Sequence, residues 1–299
     1  MSLLLGAIGA FVISSIGDRL KLIDRPNERS SHTKLIPKGG GIGILTAFCL
    51  TAAYYSVPLL IWLPAAFLSL ISLMGDRVEL SVGLRLALQF ITAGAACWGI
   101  GTLSHGLIRF QILGLPLGFI AAAFFVVVTA NMYNFMDGIN GIAAGSGLVA
   151  FALLARFAEL SGADAGMMWF CAAMAAACAG FLPFNVPNAR VFMGDVGSVT
   201  MGFVFALVLF SMASTWLDFL CMASFLFPFY ADTLTTLYIR WRDGERLSQA
   251  HRRHLYQLLA NEYGIRHWLV ALVYAIVQCV SGILMLSAWT KGPFFRVLC

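Results

Sequence analysis

Ten apolar runs of near-membrane length leave this chain little choice of fold. They lie at residues 2–17, 41–57, 58–74, 83–101, 115–133, 139–157, 167–184, 197–213, 216–238 and 267–289. Water is absent from a bilayer core, so each run must satisfy its backbone groups internally and is read as a helix. At about 20 residues per crossing, ten runs take about 200 residues. The rest of the 299 is loop, with no room for a sizeable soluble domain. Composition agrees: the chain is 60% hydrophobic and 11% charged, whereas soluble domains carry about 25% charged residues. The mean hydropathy is +0.86. Soluble helices keep a polar face that these runs lack. The expected fold is an all-α polytopic membrane protein, about ten transmembrane helices in a single domain over residues 1–299. The run at 58–74 is the least regular, because Pro58 and Pro64 interrupt it.

Lys and Arg set the orientation. Of 19 basic residues, 15 fall in the loops 18–40, 75–85, 185–196 and 239–266. Arg109, Arg156, Lys291 and Arg296 fall on the other side. The basic loops and the turn at 134–138 are therefore placed in the cytoplasm, with both termini outside. The first run has no basic lead and no obvious cleavage site, so it is read as a retained span. The net charge of +5 reflects this bias, with anionic lipid or phosphate substrates as a second cause. It gives no argument for nucleic acid. Seven cysteines, mostly inside spans and without a CxxC pair, read as small apolar side chains rather than a disulfide framework or a metal site. No internal repeat of the kind seen in inverted-repeat transporters is visible.

Against this background the polar residues stand out. Asp76, Asp137 and Asp195 each sit beside a glycine at the cytoplasmic end of a span. Helix capping is one reading of each. Three on one membrane face point instead to function, because ionisable groups near a bilayer are costly. In NMYNFMDGINGIAAG, Asn131, Asn134, Asp137 and Asn140 recur every third residue, which on a helix makes one stripe. Asn131 and Asn134 are expected to close the fifth span, Asp137 and Asn140 to open the sixth. The stripe predicts a water-facing cleft, or else polar glue between helices. In NVPNARVFMGDVGS, Asp195 is a hard oxygen ligand suited to Mg²⁺, and Phe192 can stack on a base. RWRDGERLSQAHRRHLYQ crowds His251 and His254 with arginines, a group suited to a diphosphate. The same basic residues also serve the orientation signal, and the two histidines have no third soft ligand nearby for zinc. Asp232 lies about two turns from Arg240 and reads as a structural hydrogen bond or ion pair, with substrate contact as the alternative.

Acids, a hard cation and an Arg/His loop at a membrane face suit phosphoryl transfer between a soluble nucleotide diphosphate and a lipid phosphate. PKGGGIG lacks the lysine of a phosphate-binding loop, which argues against an ATPase.

Four stretches together resemble the polyprenyl-phosphate N-acetylhexosamine-1-phosphate transferases, the superfamily of WecA-like and MraY-like enzymes in glycosyltransferase family 4. SSHTKLIPKGGGIGI is similar to the family's early cytoplasmic loop, and NMYNFMDGINGIAAG to its NxxNxxDGxDGL motif. NVPNARVFMGDVGSVTMG is similar to its N…VFMGDxGS motif, and AHRRHLYQLL to the last-loop histidines in their WbpL-type, O-antigen form. The resemblance implies a cytoplasm-facing cleft in a bacterial inner-membrane protein. It implies transfer of a sugar-1-phosphate from a UDP-N-acetylhexosamine to undecaprenyl phosphate, releasing UMP and initiating O-antigen or a similar glycan. It implies that Asp195 binds Mg²⁺, with Mn²⁺ as an alternative ion. Phe192 and Asn185 would hold the uridine with Asn140 nearby, and Asn131, Asn134 and Asp137 would line the catalytic cleft. His251, His254, Arg252 and Arg253 would bind the diphosphate or help catalysis. Asp76 would come from the family's acidic pair. Oligomeric state is left open, a homodimer being one option.

Three departures from the family pattern are visible. Gly75-Asp76 stands where Asp-Asp is usual, DGIN ends in Asn140 where an acid is usual, and HRRH carries Arg253 in place of a histidine. Two missing carboxylates keep a second reading alive: a relative that binds nucleotide sugar or lipid carrier without turnover. A transporter is a third reading. It predicts acids near span midplanes, and here the acids sit mainly at span ends.

Overall fold

Each expected span but the ninth is one helix in the computed structural model, which describes residues 1–26, 31, 34–75, 80–103, 117–247, 249 and 251–291. The helices are α1 (Ser2–Ile16), α2 (Ile42–Tyr54), α3 (Leu59–Gly75), α4 (Val82–Leu103), α5 (Leu117–Phe135), α6 (Ile142–Ser161), α7 (Ala165–Asn185), α8 (Asp195–Met212), α9 (Trp216–Ala223), α10 (Phe227–Arg242), α11 (Leu255–Asn261) and α12 (His267–Thr290). Among the described residues the strands are a two-residue antiparallel pair, β1 (Ile23–Asp24) and β2 (Ile36–Pro37). Among the described residues, seven helical segments are long and apolar enough to cross a membrane, with α9 and α10 counting as one segment of 27 residues. The shorter apolar helices α1, α2 and α3 fill the remaining three expected spans. The chain is a multi-pass, all-α membrane protein.

Two expectations change in detail. Pro64 does not end α3, which starts directly after Pro58 and runs through it; in a bilayer, neighbouring helices and local adjustment absorb the lost hydrogen bond. The ninth span is broken. A 3-10 turn, Ser224–Leu226, separates α9 from α10, and Pro228 follows it. Gln278 of α12, fully buried, repairs the break: its Nε2 donates to the Phe225 carbonyl at 2.6 Å and to the Ser146 carbonyl at 3.0 Å. Its Oε1 accepts from Ser146 Oγ at 2.6 Å. A glutamine is tolerated at this depth because all of its amide is used.

α8 is the axis of the bundle. Every residue from Val196 to Phe210 is buried, and the helix touches α2, α3, α4, α5, α6 and α9. α1 packs on α7 backbone to backbone: a Cβ at Gly180 would stand 1.9 Å from the Leu3 carbonyl oxygen, so only glycine permits the approach. The described cysteines are all unpaired thiols and are buried or half-buried. The ends of α5, α7 and α10 and the starts of α4, α6, α8 and α12 gather on one face, where the polar motifs meet.

Candidate functional site

The centre of that face is the first turn of α8. Asp195 Oδ1 accepts from Asn134 Nδ2 at 3.0 Å, and the same amide donates to Ser198 Oγ at 2.8 Å. Asp195 Oδ2 accepts from the Arg85 guanidinium at 2.8 Å. Gly194 enters the helix at φ +73°, and the N-terminal dipole favours a carboxylate at Asp195. One turn away, Asn131 Nδ2 donates to Gln89 Oε1 at 2.6 Å. Asn131 thus meets α4 directly at Gln89, and Asn134 meets it through Asp195, which also holds Arg85. The cleft beside them is lined by Leu68, Ile71, Ser72, Gly75, Arg85 and Asp195.

The expected four-residue stripe does not continue along a helix. α5 stops at Phe135 and α6 begins at Ile142, so Asp137 and Asn140 lie in the connecting turn. Gly141, at φ +88°, reverses the chain in a conformation that a β-carbon disfavours. The turn is stitched to the 186–191 loop. Asn140 Nδ2 donates to the Pro187 carbonyl at 3.1 Å, and Gly141 N donates to Asn185 Oδ1 at 2.6 Å. Asn185 Nδ2 donates to the Val191 carbonyl at 2.9 Å. Asn185 is buried with both ends of its amide on backbone, so it shapes the site from behind.

Phe192 is half-buried and sits in a bridge that the sequence did not suggest. Its N–H donates to the Pro37 carbonyl at 2.8 Å, and its carbonyl accepts from Gly40 N at 2.9 Å. Gly41 N donates to the Met193 carbonyl at 2.9 Å. The glycines of PKGGGIG therefore pair with the VFMGD stretch, and this early crossing is where α2 starts.

The last loop closes over the turn. Tyr256 OH donates to the Phe135 carbonyl at 2.9 Å. Its ring stacks on His254, with centroids 5.7 Å apart. A Cβ at Gly138 would stand 2.2 Å from that hydroxyl, so the turn and α11 touch only because residue 138 is glycine. Burial, then the charges of Asp137 and Asp232, push the Tyr256 phenol far above its usual range. His254 is buried, with Nδ1 3.2 Å from Asp232 Oδ1, and the His251 ring lies 4.8 Å away. Burial, aided by His254 and Arg240, lowers the His251 pKa to about 4, so His251 is neutral at pH 7. Its Nδ1 accepts from Arg253 N at 3.3 Å.

The expected link between Asp232 and Arg240 is replaced by two separate ones. Asp232 turns to His254. Arg240, 2% exposed, donates to Glu245 at 2.8 Å and to the carbonyls of Arg246 and Gln249 at 2.7 and 3.0 Å. It is a scaffold for the loop, not only an orientation signal. Arg253 pairs with Glu245 and, at 2.9 Å, with Asp243. Arg253 holds the Asp243 carboxyl below its usual range; Arg240 and then Arg253 do the same for Glu245. Arg252 lies 4.0 Å from Glu262.

Of the candidate residues, Asn131, Asn134 and Asp195 come together, Asp137 and Asn140 flank them in the turn, and His251 and His254 pack against the turn from the last loop. Asp76 lies outside the described residues. Sequence reasoning missed Arg85, Gln89, Ser198 and Tyr256. Arg85 had been counted only as an orientation charge, although an arginine one turn inside an apolar helix is itself a signal. Among the described residues no three His, Cys, Asp or Glu side chains cluster tightly enough to hold a metal on their own. Mg²⁺ does not require that: it takes one or two carboxylates and completes its shell with water and substrate phosphates. Asp195 is a carboxylate of that kind, and the Asn134 amide nitrogen, donating to it and to Ser198 Oγ, orients it without being a metal ligand itself.

Comparisons with known proteins give a consistent answer. The model of the family "Glycosyl transferase family 4" matches residues 58–213. Undecaprenyl-phosphate alpha-N-acetylglucosaminyl 1-phosphate transferase of Escherichia coli (strain K12) is 27% identical over 270 residues, covering 83% of this chain and 72% of that one. The protein of the same name from Salmonella typhi is 30% identical over 205 residues, 64% of this chain and 56% of that one. Phospho-N-acetylmuramoyl-pentapeptide-transferase of Nostoc punctiforme is 48% identical over 97 residues, 31% and 26% of the two chains.

Proposed function

Because the chain belongs to glycosyl transferase family 4, we propose that it transfers an N-acetylhexosamine-1-phosphate from a UDP-sugar to undecaprenyl phosphate and releases UMP. The reading places it in a bacterial inner membrane with the site facing the cytoplasm, at the first step of O-antigen or a related polysaccharide. The observation that carries it is the hydrogen bond from Asn134 to Asp195 beside Arg85, which joins the two most specific motifs at the mouth of one cleft. The relatives named for undecaprenyl-phosphate sugar transfer support the same substrate class.

In this reading Asp195, oriented by the Asn134 amide, would hold Mg²⁺, which when bound offsets charge on the diphosphate. Asn131 and Gln89 line the cleft where the acceptor phosphate enters. Phe192 offers a ring to the uracil, and Asn140 and Asn185 fix the loop that carries it. Arg252, Arg253 and His254 face the diphosphate, and His251 serves as a neutral hydrogen-bond partner because burial keeps it uncharged. Asp137 and Asp76 complete the acids of the cleft.

The test is UMP release by purified protein with undecaprenyl phosphate, Mg²⁺ and a panel of UDP-N-acetylhexosamines. UMP that requires lipid and metal, and falls about 10²- to 10³-fold in Asp195→Asn, is the expected result. UDP-sugar binding with no UMP from any donor would instead favour the non-catalytic relative, with Gly75 and Asn140 as the changed positions.

A further inference from the structure

No motif singles out Asp232, yet five groups meet its carboxylate. Its side chain is 2% exposed, inside a membrane helix. Oδ1 accepts from Leu255 N at 2.9 Å and from Thr236 Oγ1 at 3.2 Å. Oδ2 accepts from Tyr274 OH at 2.7 Å and from Tyr256 N at 3.2 Å. His254 Nδ1 lies 3.2 Å from Oδ1. One carboxylate of α10 therefore ties down the first residues of α11 and the middle of α12.

Anchoring alone does not call for a charge. Asn, Ser or Thr can cap a helix start, and burying an ionised group in a membrane helix is costly. The carboxylate has a consequence that an amide lacks. With four other donors on its oxygens it acts only as acceptor, so His254 Nδ1 carries the proton. Nε2 is then the one ring nitrogen left for a ligand. Tyr256, stacked on one side of the ring, and His251, 4.8 Å away, limit its other movements.

We propose that Asp232 is a positioning residue for the transfer: it fixes His254 in the Nδ1–H tautomer and leaves Nε2 as a hydrogen-bond acceptor for a hydroxyl of the nucleotide-sugar donor beside the diphosphate. The proposal rests on the reading that His254 faces the diphosphate. It extends the reacting set to a residue that touches no substrate, and it makes α10 and α12 part of the machinery. Free histidine prefers the other tautomer, so the arrangement leaves a mark that mere packing does not.

The experiment has two arms on the full-length protein in detergent. In the first, ¹⁵N-histidine NMR, with His254→Gln to identify the signal, reads the tautomer. Nδ1–H at His254 is expected; Nε2–H overturns the proposal whether or not the protein is a transferase. In the second, UMP release is measured with UDP-N-acetylglucosamine. Asp232→Asn is expected to lower kcat at least about tenfold, the usual scale for losing an orienting partner, with the donor KM within about threefold. Tyr274→Phe removes a hydrogen bond from the same carboxylate but leaves the His254 contact, and is expected to hold kcat within about threefold. Asp232→Asn is expected to add little to His254→Gln, since the two act as a unit. Losses that multiply, or an equal loss in Tyr274→Phe, would reduce Asp232 to an anchor. Absence of UMP from the unaltered protein would sink the transferase reading and leave the tautomer to decide the positioning claim.

Discussion

α8 passes through both regions of the molecule and shows how they differ. From Val196 to Phe210 it is surrounded on all sides, mainly by apolar side chains, with Ser69–Thr200 at 2.5 Å and Ser198–Asn134 at 2.8 Å among the few polar contacts. At its first residue the environment inverts: Asp195 is held by an amide and a guanidinium. Around it the loops are fastened by single side chains gripping backbone, as Asn185 grips Gly141 and Val191, and Tyr256 grips Phe135. The bundle is redundant, because dispersion is spread over many contacts and one lost methyl is shared among neighbours. The face is not. Each clasp is one residue deep, and its loss frees a whole loop. Changes at the face should therefore cost function before stability, and changes in the bundle the reverse.

The most severe test of that contrast is Gly138→Ala. The new methyl would meet Tyr256 OH at 2.2 Å and two ring atoms at 3.0 Å, so the turn and α11 must part. Activity is expected to fall about 10- to 100-fold, the scale of a misplacement of about 1 Å. The melting temperature in detergent should hardly move. Adding Tyr256→Phe removes the closest atom and should restore part of the rate. A large drop in melting temperature would show that the face carries the fold after all.

Gln278→Leu is the mirror experiment. It leaves the Phe225 carbonyl and the Ser146 hydroxyl without their partner in the bundle interior. A buried polar group left unpaired costs about 1–3 kcal/mol, although such bonds in membranes average nearer about 0.6 kcal/mol. A melting temperature lowered by a few degrees, with kcat within about threefold, is the expected outcome. A tenfold fall in kcat at unchanged stability would mean that the α9–α10 break transmits to the site.

The same contrast explains what could be read from the sequence. Ten spans and their order follow from apolar run length, because the bilayer rewards nothing else over 20 residues. The motifs offered Asn134 for the cleft and Asp195 for the metal, and the structure joins the two by a hydrogen bond. What escaped were contacts whose partner is backbone or a side chain far away in sequence. Spacing placed Asp137 and Asn140 on a helix, since an i, i+3 pattern cannot reveal that Gly141 turns the chain at φ +88°. Asp232 was linked to Arg240 by proximity along α10, but all its partners except Thr236 lie more than 20 residues away in sequence, His254 and Tyr274 among them. Phe192 was read as a ring, and nothing in VFMGD announces that its backbone pairs with Pro37 and Gly40. Arg85 was hidden by its usefulness as an orientation charge.

The smallest effect separates the regions by proton binding. His251 belongs to the face. Burial, with His254, Arg240 and Arg253 nearby, lowers its pKa from 6.5 to about 4, while Glu245 opposes the shift. Above pH 6.5 the ring is neutral in folded and unfolded chains alike, and the shift contributes nothing. As pH falls below 6.5 the unfolded chain takes up a proton that the folded chain refuses until about 4. The unfolded state then binds more protons, so stability falls as pH falls through that window. The ring is only half-buried, and solvent weakens the effect. His251→Gln removes the group and should flatten the melting temperature between pH 6.5 and 4.5 relative to the unaltered protein. The same comparison made on Gln278→Leu should leave the pH slope unchanged, because that substitution touches no titrating group. Equal slopes in the unaltered protein and His251→Gln would mean that the last loop opens to water before the bundle melts, which would separate the two regions more sharply than their contacts do.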